Sequence, residues 1–245
     1  MIRLFSPLSL CACTTALLSS PTDLRAEAPT VHVITEGYVQ PIEGKEFVPG
    51  KVDDGERKVA GTVVLVKAVG ATIVADPGMV ADRNLILDGL AQHGVTPADV
   101  THVFISHHHP DHTVNIGMFP KAKTIDFIGE YENDVWRDHP NPATLAPGVR
   151  VLRTPGHTNE DASLLVETDE GVYALTHVWW NEQMQPEVDP LAEAPETLIK
   201  SRQLILDVAD WIIPGHGRKF ANPRKRKPAQ RKSTQESPES ATAQP

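Results

Sequence analysis

The sequence predicts one mixed α/β (α+β) domain made of two related halves, and three observations predict it. Residues 59–67 with 71–75, and 162–168 with 172–176, are paired β-branched or apolar runs broken by Gly70 and by Asp169-Glu170-Gly171, the pattern of hairpins. A stretch of helical spacing follows each hairpin: Ile86, Leu87, Leu90 and Ala91 in residues 81–93, and Leu198, Ile205 and Ala209 in residues 195–209. Beyond each helix a short apolar run, 102–106 or 210–213, empties into a loop that carries histidine.

Taken in order, Val31-His32-Val33-Ile34 reads as the first strand, and residues 41–57 mix Pro, Gly and charge without a period, as a long loop does. Asp76-Pro77-Gly78 stops the second strand of the first hairpin. Gly94 ends the first helix, and Thr96-Pro97-Ala98-Asp99 opens a short helical turn with Thr96 as cap and Pro97 at the first position. A helix over 113–118, a strand over 124–128 and a Pro-rich loop over 139–147 come next. Residues 148–154 form a strand that delivers Thr154-Pro155-Gly156-His157-Thr158; the second hairpin ends on His177. Pro195 and Glu196 open the last helix, and the final strand runs into Pro214-Gly215-His216-Gly217.

The domain occupies residues 29–221 of a chain of 245, with a tail at each end. Residues 1–28 read as an export signal: Arg3 carries a charge, residues 8–18 are apolar, and small residues lie around Ala26 and Ala28. The apolar stretch is too short to cross a bilayer. Export predicts a periplasmic or secreted protein; Leu10-Cys11-Ala12-Cys13 leaves a lipid anchor open, and an unstructured leader on a cytoplasmic protein is the plainer alternative. Cys11 and Cys13 are the only cysteines, so a processed chain has neither disulfides nor a thiolate metal ligand. The net charge of −9 combines +6 in residues 218–245 with −15 in the rest. A body that acidic repels polyanions, which argues against nucleic acid except through the tail. Residues 222–245, basic and almost without apolar side chains, read as a disordered tail.

The site is legible in Ser106-His107-His108-His109-Pro110-Asp111-His112. In an extended segment alternate side chains point the same way, so His107 and His109 can close on one ion while Asp111 and His112 turn to a second. His108 faces away. Protonated, the imidazoles would repel one another; buried without partners, they would forfeit hydrogen bonds. A shared cation removes both costs. His32, His93, His102 and His139 stand alone and read as structural or exposed.

With the echoes at His157 and His216, these motifs resemble, in this order, those of the metallo-β-lactamase-fold hydrolase superfamily. Within it the short members of the metallo-β-lactamase domain-containing protein 1 group are similar over about residues 60–217, on Asn115 to Pro120 and on Ser201-Arg202 leading to the His216 loop. The resemblance implies a four-layer αββα sandwich with every ligand on one rim. It implies His107, His109 and His157 on one metal, Asp111, His112 and His216 on another, and Asp76 supporting them. The implied cofactor is one or two Zn²⁺, with Mn²⁺ or Fe as alternatives for an all-N/O ligand set. The implied chemistry is hydroxide from water on zinc, whose pKa falls to about 7, with Asp111 moving the proton.

One position departs from the pattern. Where relatives carry an Asp that bridges both ions, this chain has His177, and an imidazole cannot bridge as a carboxylate does. His177 is expected to bind one ion terminally or to act as an acid or base, in an asymmetric or partly filled site; a spectator role is the alternative. Trp179 and Trp180 either line a substrate wall or plug the sandwich edge. The 38 residues between His177 and His216 are too few for the inserted domain of nucleic-acid-processing relatives. The expected activity is hydrolysis of a small lactone, ester or lactam; a phosphodiesterase or ribonuclease, as relatives in animals imply, and a decayed metal-binding protein are the alternatives. Oligomeric state is not legible.

Overall fold

In a computed structural model the described residues are 27–48, 55–183, 189 and 191–225. The expected export signal, but for its last two residues, and the tail from residue 226 lie outside them. The strands are β1 (Thr30–Thr35), β2 (Tyr38–Pro41), β3 (Arg57–Ala60), β4 (Val63–Ala68), β5 (Ala71–Ala75), β6 (His102–Phe104), β7 (Lys123–Ile125), β8 (Gly129–Glu132), β9 (Val135–Asp138), β10 (Ala143–Ala146), β11 (Val149–Arg153), β12 (Ala162–Thr168), β13 (Gly171–Thr176), β14 (Trp211–Pro214) and β15 (Phe220–Ala221). The helices are α1 (Asn84–Gln92), α2 (Pro110–Thr113) and α3 (Pro195–Val208). Among the described residues no helix is long and apolar enough to cross a membrane.

Two sheets, ordered β1-β4-β5-β6-β7-β8-β9 and β10-β11-β12-β13-β14-β15, form the inner layers. Alternation along the strands gives each sheet two apolar faces. One pair of faces meets in a core that includes Val64, Ile73, Phe104, Leu164, Leu175 and Ile213. The opposite face of the first sheet packs Leu65, Val74 and Val103 against Ile86 and Leu90 of α1. That of the second packs Leu165, Ala174 and Ile212 against Leu198 and Ile205 of α3. The layer order is therefore αββα, as the resemblance implied.

The two halves repeat a pattern. β4 pairs antiparallel with β5 and β5 parallel with β6; likewise β12 pairs antiparallel with β13 and β13 parallel with β14. Asp76 thus leaves β5 as His177 leaves β13, and the His107 loop leaves β6 as the His216 loop leaves β14. All four positions fall on one rim. Backbone bonds stitch the halves there: Ala162 N donates to Ser106 O at 2.8 Å, and Thr62 N to Gly215 O at 2.8 Å.

Several expectations need correction. The 59–67 run is two strands, because the chain turns at Gly61-Thr62 and β3 pairs with β2 in a separate ribbon. Helix 113–118 is instead the single turn α2, started by Pro110, and a 3-10 turn at Ile116–Met118. Asn115 separates them, its side chain bound to Arg83 Nε at 2.8 Å. The loop expected over 139–147 contains β10, and the hairpin of β8 and β9 was not anticipated; its turn residues Asn133 and Asp134 have φ of 49° and 64°. β15 adds a strand after the His216 loop, and Asn222 beyond it is fully buried, its amide donating to Leu206 O and Ala209 O at 2.7 Å each.

Candidate metal centre

All seven predicted ligands come together at the rim. His107, His109 and His157 form one set able to hold an ion, Asp111, His112 and His216 another, and His107, His112 and His177 a third; within each, one donor atom per residue lies within 4.8 Å of the others. His107, His112, His157, His177 and His216 are buried. Asp111 and His112 reach the centre from the helical turn α2, not from an extended strand, so the expected alternation fails after His109. His108 points outward, as expected, and meets Asp126 Oδ2 at 3.0 Å.

What surrounds the rings decides which nitrogen faces inward. His112 Nδ1 donates to Asp76 Oδ2 at 2.9 Å. Ser106 Oγ donates to the same oxygen at 2.7 Å, which leaves it to accept from His107 Nδ1 at 3.1 Å. His157 Nδ1 donates to Asp189 Oδ2 at 2.8 Å, and His216 Nδ1 to Ala60 O at 2.9 Å. Each of these outward N–H groups has an acceptor, so in the neutral ring, the form a cation binds, the inward Nε2 carries the lone pair. Such lone pairs need a partner: His107 Nε2, His112 Nε2 and His177 Nδ1 are buried and have no hydrogen-bond partner among the described residues. The donor set fits a divalent metal of the zinc type, which takes neutral imidazole and carboxylate.

Asp76 is the support that the sequence named. It also accepts from Ser106 N at 2.8 Å, tying the start of the histidine loop to the end of β5. Its φ of 46° lies in the left-handed region, where Asp and Asn are the side chains most easily placed. Gly61 is needed for another reason: a Cβ there would stand 2.7 Å from His112 Nδ1. Ser201 Oγ to Pro155 O at 2.7 Å, and Arg202 Nε to Val178 O at 2.6 Å, peg α3 to the loops bearing His157 and His177. That gives the Ser201-Arg202 pair a positioning role.

The electrostatics follow from crowding. Burial, then the neighbouring rings, push His107 and His177 well below the usual histidine range, and burial with His112 brings His216 down to about 4. Burial also opposes charge on His112, but the Asp76 and Asp111 carboxylates outweigh it and hold His112 up to about 9. Burial would raise Asp111; the bond from His112 and the charges of His112 and His216 hold it well below the usual carboxylate range. Asp111 is thus a carboxylate at neutral pH, its Oδ2 3.4 Å from His112 Nε2 and 3.5 Å from His216 Nε2.

Asp189 was missed. It is 2% exposed and receives both His157 Nδ1 and Trp180 Nε1, the latter at 2.9 Å. Nothing in the local pattern around it marks it as a partner of a histidine 32 residues away. The two tryptophans divide the roles considered for them. Trp179 is buried against Phe220 and under Arg202, a plug; Trp180 is partly exposed, with its ring centroid 6.3 Å from that of His157 and 6.4 Å from that of His216, on the wall of the site. The four histidines read as structural have ordinary partners: His32 stacks on His93 at 4.0 Å, His102 meets Thr101 and His139 meets Asp126 O.

Comparison with known proteins agrees with this geometry. The family model described as metallo-beta-lactamase superfamily matches residues 57–178. Metallo-beta-lactamase domain-containing protein 1 of Xenopus laevis is 35% identical over 202 residues, which cover 78% of this chain and 81% of that protein. Among solved structures, an AiiA variant of B. thuringiensis with N-decanoyl-L-homoserine at its active site aligns with a TM-score of 0.58 at 19% identity, over 79% of this chain and 94% of its own. AidC, a dizinc quorum-quenching lactonase in complex with a product, aligns with a TM-score of 0.51 at 18% identity, over 67% of this chain and 74% of its own. At those identities the two structures speak for the fold.

Proposed function

The chain belongs to the metallo-β-lactamase superfamily of hydrolases, and from that membership we propose that it is a zinc-dependent hydrolase opening a small carbonyl compound, a lactone, ester or lactam. One observation carries the reading: rings brought from separate loops turn lone pairs inward on a common point while their outer N–H groups are held by fixed acceptors. The metal would be held by donors drawn from His107, His109, Asp111, His112, His157, His177 and His216, and zinc there would supply activated water near neutral pH and polarisation of the carbonyl. Asp111, ionised at neutral pH, would take the proton from the attacking water and pass it to the leaving oxygen or nitrogen. Trp180 offers an apolar face to the acyl part of the substrate, oriented by its bond to Asp189.

Small neutral substrates are favoured over RNA by the −15 charge of residues 1–217, the basic excess of +6 being confined to residues 218–245. The lactone class is supported by a sequence relative, an N-acyl homoserine lactonase of Bacillus cereus, 32% identical over 111 residues that cover 39% of this chain and 44% of that protein. The charged and apolar character of the leader sequence supports a periplasmic or secreted location. Purified protein is tested on lactone, ester and lactam panels and on single-stranded RNA, with and without chelator. Chelator-sensitive turnover of a carbonyl substrate is expected. Cleavage of RNA alone would make the protein a nuclease, and no turnover by fully metallated protein would make it a binding protein.

A further inference from the structure

We infer that a single metal ion is held by three imidazoles, through His107 Nε2, His112 Nε2 and His177 Nδ1. These are three of the four buried side-chain polar atoms among the described residues that lack a hydrogen-bond partner, and they belong to the three members of one ligand set. The inference rests on the metal dependence proposed above but not on the substrate.

The argument turns on His177. Its Nε2 lies 3.2 Å from His216 Nε2, and two lone pairs at that distance repel unless a proton or a cation lies between them. With a cation there, His177 would ligate through Nε2 and keep its hydrogen on Nδ1. That N–H would be buried with no acceptor, and the desolvation of the group would go uncompensated. With a proton there, every atom is satisfied. His216 already donates through Nδ1 to Ala60 O, so its Nε2 accepts and His177 Nε2 donates. His177 Nδ1 is then the lone pair. Its direction is set by packing: the Cδ2–Nε2 edge of the ring lies so close to Gly215 that a Cβ there would stand 2.1 Å from Cδ2. Nδ1 is the vertex opposite that edge, and the His107 and His112 rings pack with centroids 4.3 and 4.8 Å from that of His177.

The stoichiometry follows. An imidazole nitrogen has one lone pair, so an ion on His107 Nε2 and His112 Nε2 takes a donor from each of the other two sets. His216 Nε2 is occupied by the His177 proton. Neither remaining set keeps three donors, and the centre closes on one ion.

The test compares two isosteres, because Asn places its amide near the Nδ1 position of a histidine and Gln near the Nε2 position. Zinc content after dialysis, zinc affinity against a chromophoric chelator, and the visible spectrum of the cobalt-loaded protein are read for wild type, His177→Asn and His177→Gln. One equivalent of metal is expected in wild type, with affinity reduced at least about tenfold and an altered cobalt spectrum in His177→Gln, and a smaller loss in His177→Asn. Two tightly held equivalents, a loss confined to His177→Asn, or no change in either variant would overturn the inference. Should a variant fail to fold, wild-type protein labelled in its imidazoles and loaded with cadmium-113 decides: coupling at His177 Nδ1 supports it, and coupling at Nε2 or none refutes it. A three-histidine ion in a protein that turns over no carbonyl substrate would sink the proposed function and leave this inference standing.

Discussion

Replacing Asp76 by Asn tests the support of the site with little change in shape. The native carboxylate receives three hydrogen bonds, Ser106 N on Oδ1 and both Ser106 Oγ and His112 Nδ1 on Oδ2. Asn tolerates the φ of 46° and can keep its oxygen toward Ser106 N. Its NH₂ then sits where Oδ2 was and donates to His112 Nδ1, which forces the hydrogen of that ring onto Nε2. The lone pair that His112 turns inward disappears, and Ser106 loses the acceptor that orients it for His107. Loss of such a support costs about 10–100-fold in metal affinity, or about 1.4–2.8 kcal/mol at about 1.4 kcal/mol per decade. Zinc affinity is measured by chelator competition, with far-UV circular dichroism to establish that the variant is folded. A folded Asp76→Asn protein that binds zinc within about twofold of wild type would refute the reasoning.

Three further outcomes are expected. Gly61→Ala brings a Cβ to 2.7 Å from His112 Nδ1 and 3.0 Å from Asp111 O, so the ring moves off Asp76 and zinc affinity falls at least about tenfold, read by the same competition. Leu164→Ala empties a fully buried position between the sheets and lowers stability by about 2–5 kcal/mol in urea denaturation. Asp210 accepts from Val172 N at 2.8 Å and from Lys225 Nζ at 3.0 Å; the backbone bond, then Lys225, hold its pKa below the unfolded value of about 3.9. A depressed carboxylate stabilises the fold above the unfolded pKa and loses that contribution as pH falls through the folded one. Melting temperature should therefore drop more steeply on acidification in wild type than in Asp210→Asn.

The sequence disclosed what is periodic or local. Both hairpins, α1, α3 and the strands before the histidine loops carry apolar spacing over several residues, and the Asp76 and Gly-bearing turns have their own backbone chemistry. The ribbon of β2 and β3 and the short strands β8, β9 and β10 were hidden because each spans only four residues, with β9 exposed throughout and β3 exposed over half its length. In the site, the ligands were legible because imidazoles in such numbers have few other uses. Their supports were legible only next to a motif: Asp76 ends a strand, whereas Asp189 reaches His157 through tertiary structure alone. Pro110 could have signalled that α2 begins inside the motif, since a proline favours the first turn of a helix, and with it the fate of the alternation after His109.

Anomalous diffraction at the zinc edge from crystals of zinc-loaded protein tests most directly whether these rings share a cation. The account predicts a peak at about 2.0–2.1 Å from His107 Nε2 and His112 Nε2, with the Asp76 and Ala60 acceptors still on the outer nitrogens of His112 and His216. A zinc-loaded crystal with its anomalous density away from those two rings would contradict it.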